Sequence, residues 1–225
     1  MAGFFVALEG IEGSGKSTVA RRLADALRVR GRAVTATREP GGGVIGERIR
    51  ALLLDNDAGA MAAETEALLF AASRAQLVAE VIRPALARGD VVIVDRFADS
   101  SLAYQWGGRG LPLDAVTAVQ ALATGGLEPD VKLLLDLPVA LGLQRRFARG
   151  NETNRLDRET IAFHERVREA YHALVAAQPN RWRVIDASRP ESDVWSDVWS
   201  AVRQLDSVKT GSAAEAEVSR LGTRS

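Results

Sequence analysis

The sequence predicts an α/β protein, a five-stranded parallel sheet covered by helices on both faces. Three observations predict it. Five short apolar runs recur along the 225 residues, with helical patterns between them, an alternation that belongs to parallel sheets. The run Val91-Val92-Ile93-Val94 is apolar throughout, as a strand buried on both sides must be. Polar or glycine-rich segments follow the first three runs, from Glu9, Arg38 and Asp95, and ligands of such sheets bind beyond the carboxyl ends of strands.

The first run, Phe4–Leu8, leads into Gly10-Ile11-Glu12-Gly13-Ser14-Gly15-Lys16-Ser17 and then an amphipathic stretch from Thr18 to Arg30. The loop matches G-x-x-x-x-G-K-[S/T] in full, in the strand–loop–helix context that gives the pattern meaning. Its glycines allow successive N–H groups to converge on an anion, and the helix start adds its dipole. Residues Gly10 through Thr18 are therefore candidates to hold a nucleoside triphosphate with Mg²⁺. Lys16 would serve the β- and γ-phosphates and Ser17 the metal.

The second run, Ala33–Thr37, ends in Arg38-Glu39-Pro40-Gly41-Gly42. Pro40 and the glycines force a turn and leave Arg38 near the phosphates, where its planar fork suits a second phosphate group. A surface pair with Glu39 is an equal reading of Arg38 in isolation. Next comes a helix carrying Phe70 and Arg74, four apart on one face. Phe70 could stack on a base while Arg74 meets its carbonyl edge; a core ring and a solvated arginine fit the same spacing.

The third run, Val91–Val94, closes in Asp95-Arg96. Asp95 stands where an acidic residue steers a water-bound Mg²⁺, and Arg96 would face substrate phosphate. Ser100, Tyr104 and Gln105 follow, a mix of hydroxyl, ring and amide that suits a nucleoside. The fourth and fifth runs are Val131–Leu137 and Trp182–Ile185. Between them, residues 144–158 carry Arg145, Arg146, Arg149, Arg155 and Arg158 around a flexible Gly150–Asn154 stretch. This reads as a lid that brings cations to a transferring phosphoryl group. His164 and His172 read as exposed helix residues without a role. Ser192 to Leu205 reads as a last helix, and the shift in composition after Asp206 predicts a disordered tail over 207–225. Residues 1–206 read as a single domain.

Composition narrows the function classes. Lys and Arg total 29, as do Asp and Glu, so no global charge argues for nucleic acid or a membrane surface. There is no cysteine, which removes thiolate chemistry and cysteine-based zinc sites. The N-terminal apolar run is too short for a secretory signal, and no stretch approaches membrane-spanning length; a cytoplasmic location is the expectation.

Taken in order, the phosphate loop, Arg38-Glu39-Pro40-Gly41-Gly42, Leu69-Phe70-Ala71, Asp95-Arg96-Phe97, Ser100–Gln105 and Gly108-Arg109-Gly110 resemble the bacterial thymidylate kinases. The resemblance covers roughly Phe4 to Leu205. It implies the three-layer P-loop nucleoside monophosphate kinase fold, usually a homodimer, and transfer of the ATP γ-phosphoryl group to thymidine monophosphate. It assigns the acceptor phosphate to Arg38 and Arg96, the thymine to Phe70, Arg74 and Gln105, the 2′ position to Tyr104, and the sugar to Glu12. The loop carries no arginine, so the resemblance points to lid arginines, Arg155 by position and then Arg149. Ser73, Leu77 and Asn154 depart from the family's usual residues. A kinase for another nucleotide or nucleoside, or a silent nucleotide-binding paralogue, stays open at this point.

Overall fold

The structure, a computed structural model, describes residues 2–148 and 153–210. Among the described residues five strands form one parallel sheet in the order β2-β3-β1-β4-β5. They are β1 (Phe4–Glu9), β2 (Val34–Arg38), β3 (Val91–Asp95), β4 (Val131–Asp136) and β5 (Trp182–Asp186). Each lies within a residue or two of its apolar run.

The sheet registers Phe4 with Val91 and Val6 with Val131. β1 is therefore central, and its carboxyl end opens between those of β3 and β4. Because side chains alternate across a strand, β1 feeds two cores. Phe4, Val6 and Leu8 pack with Val91, Ile93, Leu23 and Leu27 on one face. Phe5 and Ala7 pack with Val92, Val94, Leu77 and Ile82 on the other. Phe5 meets Phe97 edge-on at 5.0 Å on this second face, just past β3.

The expectation that all five runs are buried is corrected at the margins. β2 and β5 are the sheet edges, and their outer positions are half-buried or exposed. Among the described residues each pairs with a neighbour on one side only.

The helices are α1 (Lys16–Val29), α2 (Val44–Leu54), α3 (Ala63–Leu77), α4 (Arg83–Ala87), α5 (Ala98–Ser101), α6 (Leu113–Thr124), α7 (Val139–Ala148), α8 (Ile161–Ala177) and α9 (Glu191–Thr210). α3 passes through a π-helical turn, Val78–Ile82, into α4, and α5 runs into a second, Leu102–Gly108. α9 continues to Thr210, so the first four residues of the expected tail are helical; residues 211–225 lie outside the described residues. No described helix is long and apolar enough to cross a membrane.

Candidate active site

The chain leaves β1 at Glu9 and turns through the glycine-rich loop into α1. Gly13 has φ +72°, and a Cβ there would fall 1.9 Å from the carbonyl oxygen of Gly142 on α7. The loop can press onto α7 only because both faces of the contact lack side chains. Lys16 folds back along the loop, donating from Nζ to the carbonyls of Ile11 (2.7 Å) and Gly10 (3.0 Å) and to Ser14 Oγ (3.2 Å). Burial, with Arg96 nearby, lowers its ammonium to about 8. Ser17 Oγ donates to Asp95 Oδ2 at 2.6 Å. The two residues expected to serve a metal thus stand together, one from the loop and one from the end of β3.

Arg96, next along, has φ +72°, the left-handed region that a side chain enters at a cost. That turn carries its guanidinium across to the loop. Nη1 donates to Gly10 O (2.9 Å); Nη2 donates to Glu12 Oε1 (2.9 Å) and to the Tyr104 hydroxyl (3.0 Å). The Tyr104 hydroxyl in turn donates to Glu12 Oε1 at 2.6 Å. Burial opposes ionisation of Glu12, but Arg96, His164 and Lys16 together outweigh it and hold the carboxyl well below the usual carboxylate range. His164 is a correction: it was expected exposed and is fully buried, its Nδ1 3.3 Å from Glu12 Oε2. His172 is partly exposed and faces Asp136.

These groups line a cavity of about 370 Å³. Glu12, Gly13, Gly15, Lys16 and Ser17 bound it on one side, Asp95, Arg96, Ser100, Tyr104 and Gln105 on a second, and Arg38 and Phe70 on a third. Gly10 and Ile11 point their carbonyls at Lys16, while Ser14 and Thr18 line a second cavity of about 270 Å³ behind the loop, with Arg22, Arg145 and Trp195. Arg38 is largely exposed and pairs with Glu47 at 3.2 Å. Ser100 Oγ donates to Glu9 Oε2 at 2.5 Å. Gln105 donates to Glu66 Oε1 at 3.0 Å, and its own amide oxygen has no partner in the protein.

Arg74 stands behind this wall and is not part of the lining. It is buried among Glu39, Gln120, Phe97 O (2.9 Å) and Ser101 Oγ (2.9 Å), and Ser101 lines the cavity in its place. The arginines of the stretch 144–158 divide in a similar way. Arg155 leans away from the loop, donating to Leu53 O at 3.2 Å and to Glu66 Oε2 at 2.6 Å. Arg146 borders the cavity, held by both oxygens of Asp157 (2.9 and 2.7 Å). Arg149 lies outside the described residues.

The profile of the family described as thymidylate kinase matches residues 8–198 of the chain. Thymidylate kinase of Desulfovibrio desulfuricans is 52% identical over 204 residues, covering 88% of this chain and 94% of the relative. That of Deinococcus radiodurans is 50% identical over 202 residues, covering 90% and 97%. That of Pseudomonas savastanoi pv. phaseolicola is 48% identical over 211 residues, covering 94% and 100%.

The chain belongs to the thymidylate kinase family.

Its departures from the thymidylate kinase pattern sit outside the cavity or serve the lid's shape. Ser73 Oγ accepts from Gly41 N at 3.1 Å, beneath the turn after β2. Leu77 fills the space against Gly42, where a Cβ would come within 2.4 Å of its Cδ1. Asn154 Oδ1 accepts from Leu156 N (2.9 Å) and Asp157 N (3.2 Å), closing the turn that presents Asp157 to Arg146.

Glu66 was missed by sequence reading. It is fully buried and gathers Gln105, Arg109 (Nε at 3.1 Å, Nη2 at 2.9 Å) and Arg155. Burial alone would raise its pKa, but those donors outweigh burial and lower it. A signal was available, because Glu66, Phe70 and Arg74 recur every four residues and share one helix face.

Glu9, at the last position of β1, is fully buried and accepts from Phe97 N (2.9 Å), Ser100 Oγ and Tyr171 Oη (2.9 Å). Burial first, and Asp99 second, raise its pKa from 4.5 to about 7. The folded chain therefore keeps a proton that the unfolded chain releases. Stability from this group is complete below pH 4.5 and is lost as pH rises through about 7. Glu9→Gln removes that titration. Between about pH 5 and about pH 8 E9Q should gain on the native chain by up to about 3 kcal/mol. Urea unfolding at both values measures it; a gap that does not change with pH would refute the assignment.

Proposed function

We infer that the chain transfers the γ-phosphoryl group of ATP to thymidine monophosphate, giving thymidine diphosphate and ADP. One observation carries the site assignment. A single cavity is bounded by the phosphate loop, by two arginines for a second phosphate, and by a Phe70/Tyr104/Gln105 wall fit for a nucleoside.

The triphosphate would lie along Gly10–Thr18, with the donor base toward the second cavity and the γ-phosphoryl at Lys16. Mg²⁺ is part of this reading. The Ser17 hydroxyl and Asp95 carboxylate, 2.6 Å apart, are hard oxygen ligands that suit it. Bound there, the ion would neutralise charge on the β- and γ-phosphates. Arg96 and Arg38 would hold the acceptor phosphate, one of whose anionic oxygens attacks the γ-phosphorus as the bond to the ADP oxygen breaks. That oxygen is already ionised at neutral pH, so no general base is needed, and alignment and charge stabilisation supply the rate. Glu12 serves the sugar. Phe70 offers its ring to the base, and Gln105 stands on the same wall. Arg74, behind Ser101, shapes that wall. The family implies a homodimer, and exposed Leu52 and Leu68 on the adjoining α2 and α3 supply apolar surface for one. ATP supply places the activity in the cytoplasm.

A panel of nucleoside monophosphates in a coupled ADP-release assay tests the reading. Thymidine monophosphate should be preferred. Equal activity on uridine monophosphate would remove Tyr104 as the 2′ wall, and ATP binding without turnover on any acceptor would remove the transfer reaction.

A further inference from the structure

Glu12 is held unevenly. Its Oε1 takes both the Arg96 guanidinium and the Tyr104 hydroxyl, while the buried Oε2 faces only His164 Nδ1, 3.3 Å away. The two atoms stand at ion-pair distance. Glu12 Oε2 and both ring nitrogens of His164 are buried without a hydrogen-bond partner. Two polar atoms facing each other in a buried place without a hydrogen bond lower stability and call for a physical account. His164 is fixed there by its helix. Thr160 caps α8, its Oγ1 accepting from Phe163 N at 3.2 Å, and the Phe163 ring meets the imidazole edge-on at 5.4 Å.

We propose that His164 is a positioning residue for acceptor specificity: through Glu12 it sets the ring of Tyr104 and so the wall against the acceptor's 2′ position. With its proton on Nδ1, the imidazole donates to Glu12 Oε2 when the carboxylate rotates into line. Glu12 is then held from α8 as well as from β3. The Tyr104 hydroxyl is bonded to the opposite oxygen of the same carboxylate and follows it. Without His164, Glu12 can pivot about Oε1, and the ring of Tyr104 gains the freedom to admit a 2′-hydroxyl. The proposal rests on reading the cavity as a thymidine monophosphate site with Tyr104 as its 2′ wall.

The test is the ratio of kcat/KM for thymidine monophosphate to that for its ribonucleotide counterpart, with thermal unfolding as a control for folding. H164L should lower the ratio about tenfold, the worth of one hydrogen bond to a charged group. H164N, whose amide nitrogen stands where Nδ1 stands, should keep the ratio within about threefold of the native value. If H164L does not fold, H164Q replaces it, because its longer amide carries the donor past Glu12; the same loss is expected. A folded H164L or H164Q with the native ratio overturns the proposal, as does an H164N that loses as much as H164L. A native chain that uses both acceptors equally fails one step earlier, overturning the Tyr104 reading and this proposal with it.

Discussion

Arg96→Ala should lower kcat/KM for the acceptor by about 10³-fold or more. The guanidinium joins four groups: Gly10 O, Glu12, the Tyr104 hydroxyl and, at 3.4 Å, Ser100 Oγ. Hydrogen bonds to charged groups are worth about 1.5–3 kcal/mol each, so losing two of them already accounts for about three decades. The change also strips Glu12 of its principal counter-charge, leaving a buried carboxylate facing Lys16 and His164. Its pKa must then rise, and the site loses its shape as well as its phosphate ligand. Arg96→Lys keeps the charge without the planar fork and should fall between. The backbone supplies a control. Arg96 lies at φ +72°, so Arg96→Gly relieves strain that Arg96→Ala retains. R96G should be more stable than R96A by about 1 kcal/mol while equally inactive. Steady-state kinetics and urea unfolding read both effects, and an R96A enzyme within tenfold of native kcat/KM would remove Arg96 from the acceptor site.

Arg155→Ala should lower kcat by about 10³-fold while leaving KM for the acceptor nearly unchanged, the mark of a cation used only in the transition state. In the structure Arg155 rests on Glu66 and Leu53 O, away from the loop. Release from Glu66 does not strand a buried charge, because Arg109 and Gln105 remain on the same carboxylate. The arginine is thus held by a carboxylate that can let it go. Arg146 is the comparison: it borders the cavity but is fixed bidentately on Asp157. If Arg146→Ala costs more kcat than Arg155→Ala, the catalytic cation is Arg146 and Arg155 is a brace between the lid and α2–α3.

The features that a local pattern records and those that it does not differ in one respect. The phosphate loop, the strand ends and Tyr104 with Gln105 follow from patterns a few residues long, and the cavity gathers them. The inner strands β1, β3 and β4 lie where their apolar runs lie, because a strand buried on both faces needs apolar side chains over consecutive positions. The contacts that no local pattern records depend on partners distant in the chain. Arg155 meets Glu66 89 positions away, and Arg74 meets Glu39 35 positions away. Arg74 reads from its chemistry as a ligand for a base edge, and the fold surrounds it with acceptors behind the cavity wall. His164 reads as exposed because its polar side chain sits in a charged helix; the fold turns that residue inward against Glu12.

The sequence by itself determined the α/β class, the five strands and the phosphate loop, because periodicity and loop chemistry are local properties. It also set Arg38 and Arg96 beside the cavity, since one ends β2 and the other follows β3 directly. Only the tertiary structure decided which strands are edges, that Arg155 is held on Glu66 and Arg146 on Asp157 at the cavity's edge, and that a buried histidine stands behind Glu12. Those outcomes are set by charge partners and packing between elements far apart in the chain, and no local pattern records them.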